Sequence, residues 1–75
     1  MTFDYEALTK DVQRQLRFWM KARDASQSDV AKMLGTSRSN VNVLLKKKRI
    51  ALSSIVAIAD VLGLDVSVEL KDRSR

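Results

Sequence analysis

Two glycines, Gly35 and Gly63, and no proline punctuate this chain. Without proline, the two glycines are the punctuation that remains. Gly35 constrains the most, because apolar residues at helical spacing stand on both sides of it. Val30, Ala31 and Leu34, with Met33 beside them, form one stripe before it. Val41, Leu44 and Leu45 form another after it. Ser26, followed three residues later by Asp29, reads as an N-cap with a weaker version of the capping box. Ser37, ahead of Arg38, Ser39 and Asn40, reads as a second cap. The pattern predicts two short helices, at about 27–34 and 38–46, joined by a turn in which Gly35 takes a positive φ. So short a connection makes the helices cross steeply and share a small core.

The flanking segments extend the helical reading. Tyr5, Leu8, Val12, Leu16 and Trp19 recur every three or four residues, and Phe18 and Met20 widen their stripe. Asp4 is a plausible N-cap, Glu6 and Asp11 sit early, and Lys21 and Arg23 sit late, all favourable to the helix dipole. A helix is predicted at about 4–23, with its aromatics in core or subunit packing. Lys47 to Leu52 reads as a loop. Ser53, or Ser54, then caps a fourth helix that buries Ile55, Ile58, Ala59 and Leu62, with Val56 and Val61 widening the face and Gly63 closing it. Beyond Gly63 the period changes. Leu64, Val66, Val68 and Leu70 alternate with Asp65, Ser67, Glu69 and Lys71, the pattern of a half-buried strand at about 64–70. No second strand is apparent, and a lone strand leaves both edges unpaired. The expectation is that it pairs antiparallel with its own copy across a two-fold axis, through Val66, Val68 and Leu70. The alternative is extended chain lying along the first helix. The expected fold is all-α: one domain over residues 1–75, about four helices, and a short C-terminal β-strand.

Charge says what such a domain would touch. The net charge is +5, and residues 26–50 hold six bases against one acid, so the middle third carries the whole excess. Concentrated positive charge is the footprint of a protein that meets a polyanion. Enzymatic roles fare worse. There is no histidine and no cysteine, which removes the usual general base and the usual soft or nitrogen metal ligands. Asp4, Glu6, Asp11 and Asp24 read as helix-end and surface charges, and Asp60, Asp65 and Asp72 have no recognisable metal spacing. No catalytic residue, metal or cofactor is expected. The acids among residues 1–11 are the wrong flank for an export signal, and no apolar run approaches a membrane span. A cytoplasmic protein with no membrane partner is expected.

From Ser26 to Leu64 the chain resembles the helix-turn-helix family of phage repressors, Cro-like regulators and their bacterial relatives. Gln27 opening the first motif helix, Ala31 at the close approach, Gly35 in the turn, and Val41 and Leu44 anchoring the second helix carry the likeness. The run IVAIADVLGL from Ile55 to Leu64 looks like the helix that commonly follows. The motif spans 27–46. The resemblance implies that the helix at 38–46 enters the DNA major groove. It places Arg38, Ser39 and Val43 at base-facing positions, with Asn42 beside them and able to reach a base edge or a phosphate. It implies phosphate contacts from Gln27, Ser37, Lys46, Lys47, Lys48 and Arg49. The implied function is a homodimeric, sequence-specific regulator, usually a repressor, of double-stranded DNA. The alternative is an antitoxin or phage adaptor whose main partner is a toxin or another protein. RNA fits less well, because no aromatic stacking surface accompanies the basic patch. Three departures stand out. The family often has a glutamate and a glycine shortly after Leu44, where this chain has LKKKR. Thr36 follows the turn glycine where many members are apolar. A strand pattern replaces the fifth helix that often makes the dimer contact.

Overall fold

The computed structural model describes residues 4–68 and 72. Four helices form: α1 (Tyr5–Ala22), α2 (Gln27–Leu34), α3 (Arg38–Lys46) and α4 (Leu52–Val61). α1, α2 and α3 lie where the periodicity and caps place them. Leu16 and Met20 of α1, Val30 and Ala31 of α2, Val41 and Leu45 of α3, and Ile58 and Leu62 of the α4 end pack into one buried cluster. Val30, Val41 and Ile58 retain no exposed surface. Burying a side chain of this size contributes roughly 1.5–3 kcal/mol, so the cluster is the main favourable term.

α1 departs from its apolar stripe. Tyr5, Leu8 and Phe18 are exposed, whereas the polar Thr9 and Gln13 are buried. The reason is what α1 faces. Its inward side meets the end of α3 and the loop to α4, where backbone groups need hydrogen-bond partners.

Helix exits follow one rule with one exception. After α1, the Ala25 N–H donates to the Met20 carbonyl and the Asp24 N–H to that of Lys21. After α2, Thr36 donates to Ala31 and Gly35 to Lys32. After α4, Leu64 donates to Ala59 and Gly63 to Asp60. These are Schellman exits, each turning on a left-handed residue: Asp24, Gly35 and Gly63, at φ +53°, +71° and +73°. Asp24 was not foreseen, but aspartate tolerates this region better than most residues. α3 exits differently, through Lys47 in extended conformation.

The start of α4 differs from the expected Ser53 or Ser54 cap. Ala51 is the N-cap, without a side-chain cap bond, and Ser53 and Ser54 lie within the first turn. Ile50, expected in a loop, is almost completely buried, with its N–H donated to Thr9 Oγ1 at 3.2 Å and its carbonyl accepting from the Tyr5 hydroxyl at 2.6 Å. Pinned there, the chain begins its helix two residues on, at Leu52.

The expected strand at 64–70 does not form within its described part: residues 64–68 carry no regular secondary structure. A single strand in one chain has no ladder to join. Leu64 packs half-buried against the core, while Val66 and Val68 are exposed. Leu70 lies outside the described residues.

Two stability outcomes follow. A Cβ at Gly35 meets nothing within 4 Å, so Gly35→Ala costs only the left-handed backbone strain, about 1 kcal/mol in urea unfolding. Asp29 is held below its ordinary 3.8 by hydrogen bonds from the Ser26 backbone N–H and then the Ser26 side chain. A depressed carboxyl stabilises above its unfolded value, and that contribution is lost as the pH falls through the folded value. The stability gap between the protein and Asp29→Ala therefore narrows as the pH falls below 3.8.

Candidate nucleic-acid interface

α2 and α3 are each started by a serine. Ser26 Oγ accepts the Asp29 N–H at 3.1 Å, and Asp29 Oδ2 accepts the Ser26 N–H at 2.9 Å, a complete capping box. Ser37 Oγ accepts the Asn40 N–H at 3.1 Å. Asn40 Nδ2 also donates to Thr36 Oγ1 at 3.0 Å, so the hydroxyl of Thr36 is engaged where many family members carry an apolar residue. These bonds fix where α3 begins relative to the turn.

Burial then fixes its rotation. With Val41 and Leu45 inward, Ser39, Val43 and Lys46 form a row on the opposite side of α3, while Arg38, in the first turn, and Asn42 stand on the flank beside Gln27 of α2. Arg38, Ser39, Val43 and Lys46 are exposed, and Asn42 is half-buried. Val43 is 52% exposed, a high value for an aliphatic residue flanked by polar ones. Gln27, first residue of α2, shares an open cleft with Arg38, Ser39 and Asn42. The structure thus brings the α2 start and the outward α3 residues into one surface. Ser37 is exposed beside it, with its hydroxyl engaged as the cap.

The basic run lies at the other end of α3. Lys46, Lys47, Lys48 and Arg49 are all exposed. Arg49 Nε stands 3.9 Å from Glu6 Oε2, with both side chains more than half exposed. Such a pair is worth little and screens easily, so Arg49 remains available to another anion. The described residues hold no group of acids, histidines or cysteines suited to a metal ion, and no helix long and apolar enough to cross a membrane.

One set of residues escaped the sequence reading. Gln13 Nε2 donates to the Leu44 carbonyl at 3.0 Å and to the Lys47 carbonyl at 2.9 Å. The Arg17 guanidinium donates to the Leu45 carbonyl. With Tyr5 and Thr9 on Ile50, side chains four residues apart along α1 hold the backbone from the last turn of α3 to the start of α4. The signal was present as hydrogen-bonding residues at 5, 9, 13 and 17, masked because Tyr5 also fits the apolar stripe and the other three lie beside it.

Residues 15–67 match the family model described as a Cro/C1-type HTH DNA-binding domain. Neither the curated proteins nor the solved structures contain a match to the chain.

Loss of the α3 cap is measurable without DNA. Ser37→Ala removes the acceptor for the Asn40 N–H and is expected to cost about 1 kcal/mol in urea unfolding. Ser39→Ala, two residues along and outside the cap, is expected to stay within about 0.5 kcal/mol of the parent.

Proposed function

The chain belongs to the Cro/C1-type helix-turn-helix DNA-binding family, and on that premise we propose a homodimeric, sequence-specific repressor that inserts α3 into the major groove of a palindromic operator. The observation that carries this reading is the shared surface of Gln27, Arg38, Ser39 and Asn42, with exposed Val43 next along the helix. The major groove presents donor, acceptor and methyl patterns that identify each base pair. Arg38 suits the paired acceptors of guanine O6 and N7. Asn42 and Ser39 suit base-edge or phosphate partners, and Val43 suits a thymine methyl. Gln27, at the positive end of α2, suits a phosphate beside the groove, and Ser37 lies close enough to α3 to join it. Lys46, Lys47, Lys48 and Arg49 supply phosphate attraction that positions the protein but reads no sequence.

Dimerisation is the second part of the reading. Val66 and Val68 are exposed, and the C-terminal segment borders a groove between α1 and α4 lined by Val12, Leu16, Trp19, Ile55 and Ala59. Pairing of the 64–70 segments, including Leu70, would satisfy backbone groups that one chain cannot. It would set two α3 helices about 34–36 Å apart, one turn of DNA. The same apolar groove favours the alternative reading, an antitoxin or adaptor that docks a protein partner there. In either case the reading assigns no catalytic step and no cofactor, and places the protein with its DNA in the cytoplasm.

Selection from random duplexes tests the reading. A palindromic consensus is expected, bound by a dimer. Arg38→Ala is expected to cost about 1–3 kcal/mol on that consensus and little on scrambled DNA. Replacing Lys47 and Lys48 together by alanine is expected to weaken all duplexes alike and to flatten the slope of log K against log salt by about 1–2. Equal affinity for every sequence would refute specific recognition, and a monomer on a lone half-site would refute the dimer.

A further inference from the structure

α3 is the one described helix that leaves without a Schellman turn. α1, α2 and α4 satisfy their terminal carbonyls with their own following N–H groups, through Asp24, Gly35 and Gly63. α3 has no left-handed residue after it, and Lys47 departs in extended conformation at φ −60°, ψ 149°. The last carbonyls of a helix carry the negative end of its dipole and have no partner within the helix. Here those of Leu44 and Leu45 accept from Gln13 and Arg17 of α1 instead. Gln13 also holds the first carbonyl beyond the helix, that of Lys47, so one amide straddles the helix end. Arg17 adds a positive charge where the dipole is negative.

The ladder continues along α1. Tyr5 and Thr9 take the carbonyl and the N–H of Ile50. From Tyr5 to Arg17 it spans about 18 Å of helix. It runs antiparallel to the backbone it holds, from Ile50 at the Tyr5 end to Leu45 at the Arg17 end. Lys47 is gripped through its carbonyl, Lys48 and Arg49 lie between that grip and the one on Ile50, and all three side chains are exposed. The basic run is therefore mounted on a backbone fastened on both sides of it, and the fastening comes from a helix outside the cleft that faces bases.

We infer that Gln13 and Arg17 are positioning residues for DNA recognition, locking the basic loop in register with the outward face of α3. This rests on the reading of α3 and the loop given above. Attraction to phosphates depends on charge, and a loosened loop keeps its charge. Reading bases needs the phosphate contacts and α3 seated at the same time, and a loosened loop loses that coincidence. The ladder should thus govern discrimination between sequences more than overall attraction to DNA.

The test compares the full-length protein with Gln13→Met, which keeps the volume and removes the donors. The probes are the duplex recovered by selection and a scrambled duplex of the same length and composition. Discrimination between them is expected to fall about tenfold or more, with scrambled-duplex affinity held within about twofold. Amide exchange at Lys47–Ile50 is expected to speed up relative to the α4 amides. If Gln13→Met does not fold, the exposed Arg17 serves instead: Arg17→Met is expected to lower discrimination and Arg17→Lys to restore part of it. A folded variant with a lowered unfolding midpoint and unchanged discrimination would overturn the inference, leaving a purely stabilising ladder. Unchanged loop exchange would overturn the ladder itself. A parent protein that does not discriminate refutes the specific-recognition reading and the positioning role together, while the exchange measurement still judges the ladder.

Discussion

Everything in this domain depends on how closely α2 and α3 cross. Val30 of α2 and Val41 of α3 belong to one buried cluster without exposed surface, and Ala31, nearly as buried, is small enough to leave room for the approach. The turn between them is made possible by Gly35 in the left-handed region. Two serine caps set where each helix begins, so the crossing has one register. Rotate α3 by one residue and its apolar row leaves the core while its polar row enters it. The burial of Val41 and Leu45 therefore decides which side chains face outward.

α4 and α1 complete that decision from the other side. Ile58 and Leu62 bury the underside of the pair. Arg23 lies over the Trp19 ring at 4.9 Å and donates to the Leu62 carbonyl, tying the end of α1 to the end of α4. The opposite end of α1 ties down α3 and its loop through the polar ladder. α1 thus supports the motif more through hydrogen bonds to backbone than through its apolar stripe. No buried side-chain nitrogen or oxygen among the described residues lacks a partner, so the two buried polar residues, Thr9 and Gln13, are not a liability.

Much of the fold was legible because its signals are local. Asp4, Ser26 and Ser37 announce helix starts, and Gly35 and Gly63 announce exits, each through chemistry confined to a few residues. The core stripes of α2 and α3 were legible from their period alone. What failed depended on distant chain. Ser53 offers good cap chemistry, yet Ile50 is anchored by α1 and α4 begins at Leu52 instead. Gln13 and Thr9 look like ordinary surface residues until the end of α3 arrives to use them. The alternation from Leu64 onward is real in the sequence, but strand pairing needs a partner outside the chain described. Of the candidate site, Gln27, Arg38, Ser39 and Asn42 were named from the family resemblance, and they share one cleft. Their contacts with bases belong to the proposal, since a sequence or a free protein records no DNA.

Dimethyl sulfate interference on the selected duplex tests the groove assignment most directly. Methylation at guanine N7 blocks the major groove, and at adenine N3 the minor groove. With α3 in the major groove, N7 methylation at one or two guanines per half-site should abolish binding, and Arg38→Ala should be indifferent to at least one of them. Adenine N3 methylation should matter little. Interference confined to adenine N3, with guanine N7 methylation tolerated throughout, would contradict the placement of α3.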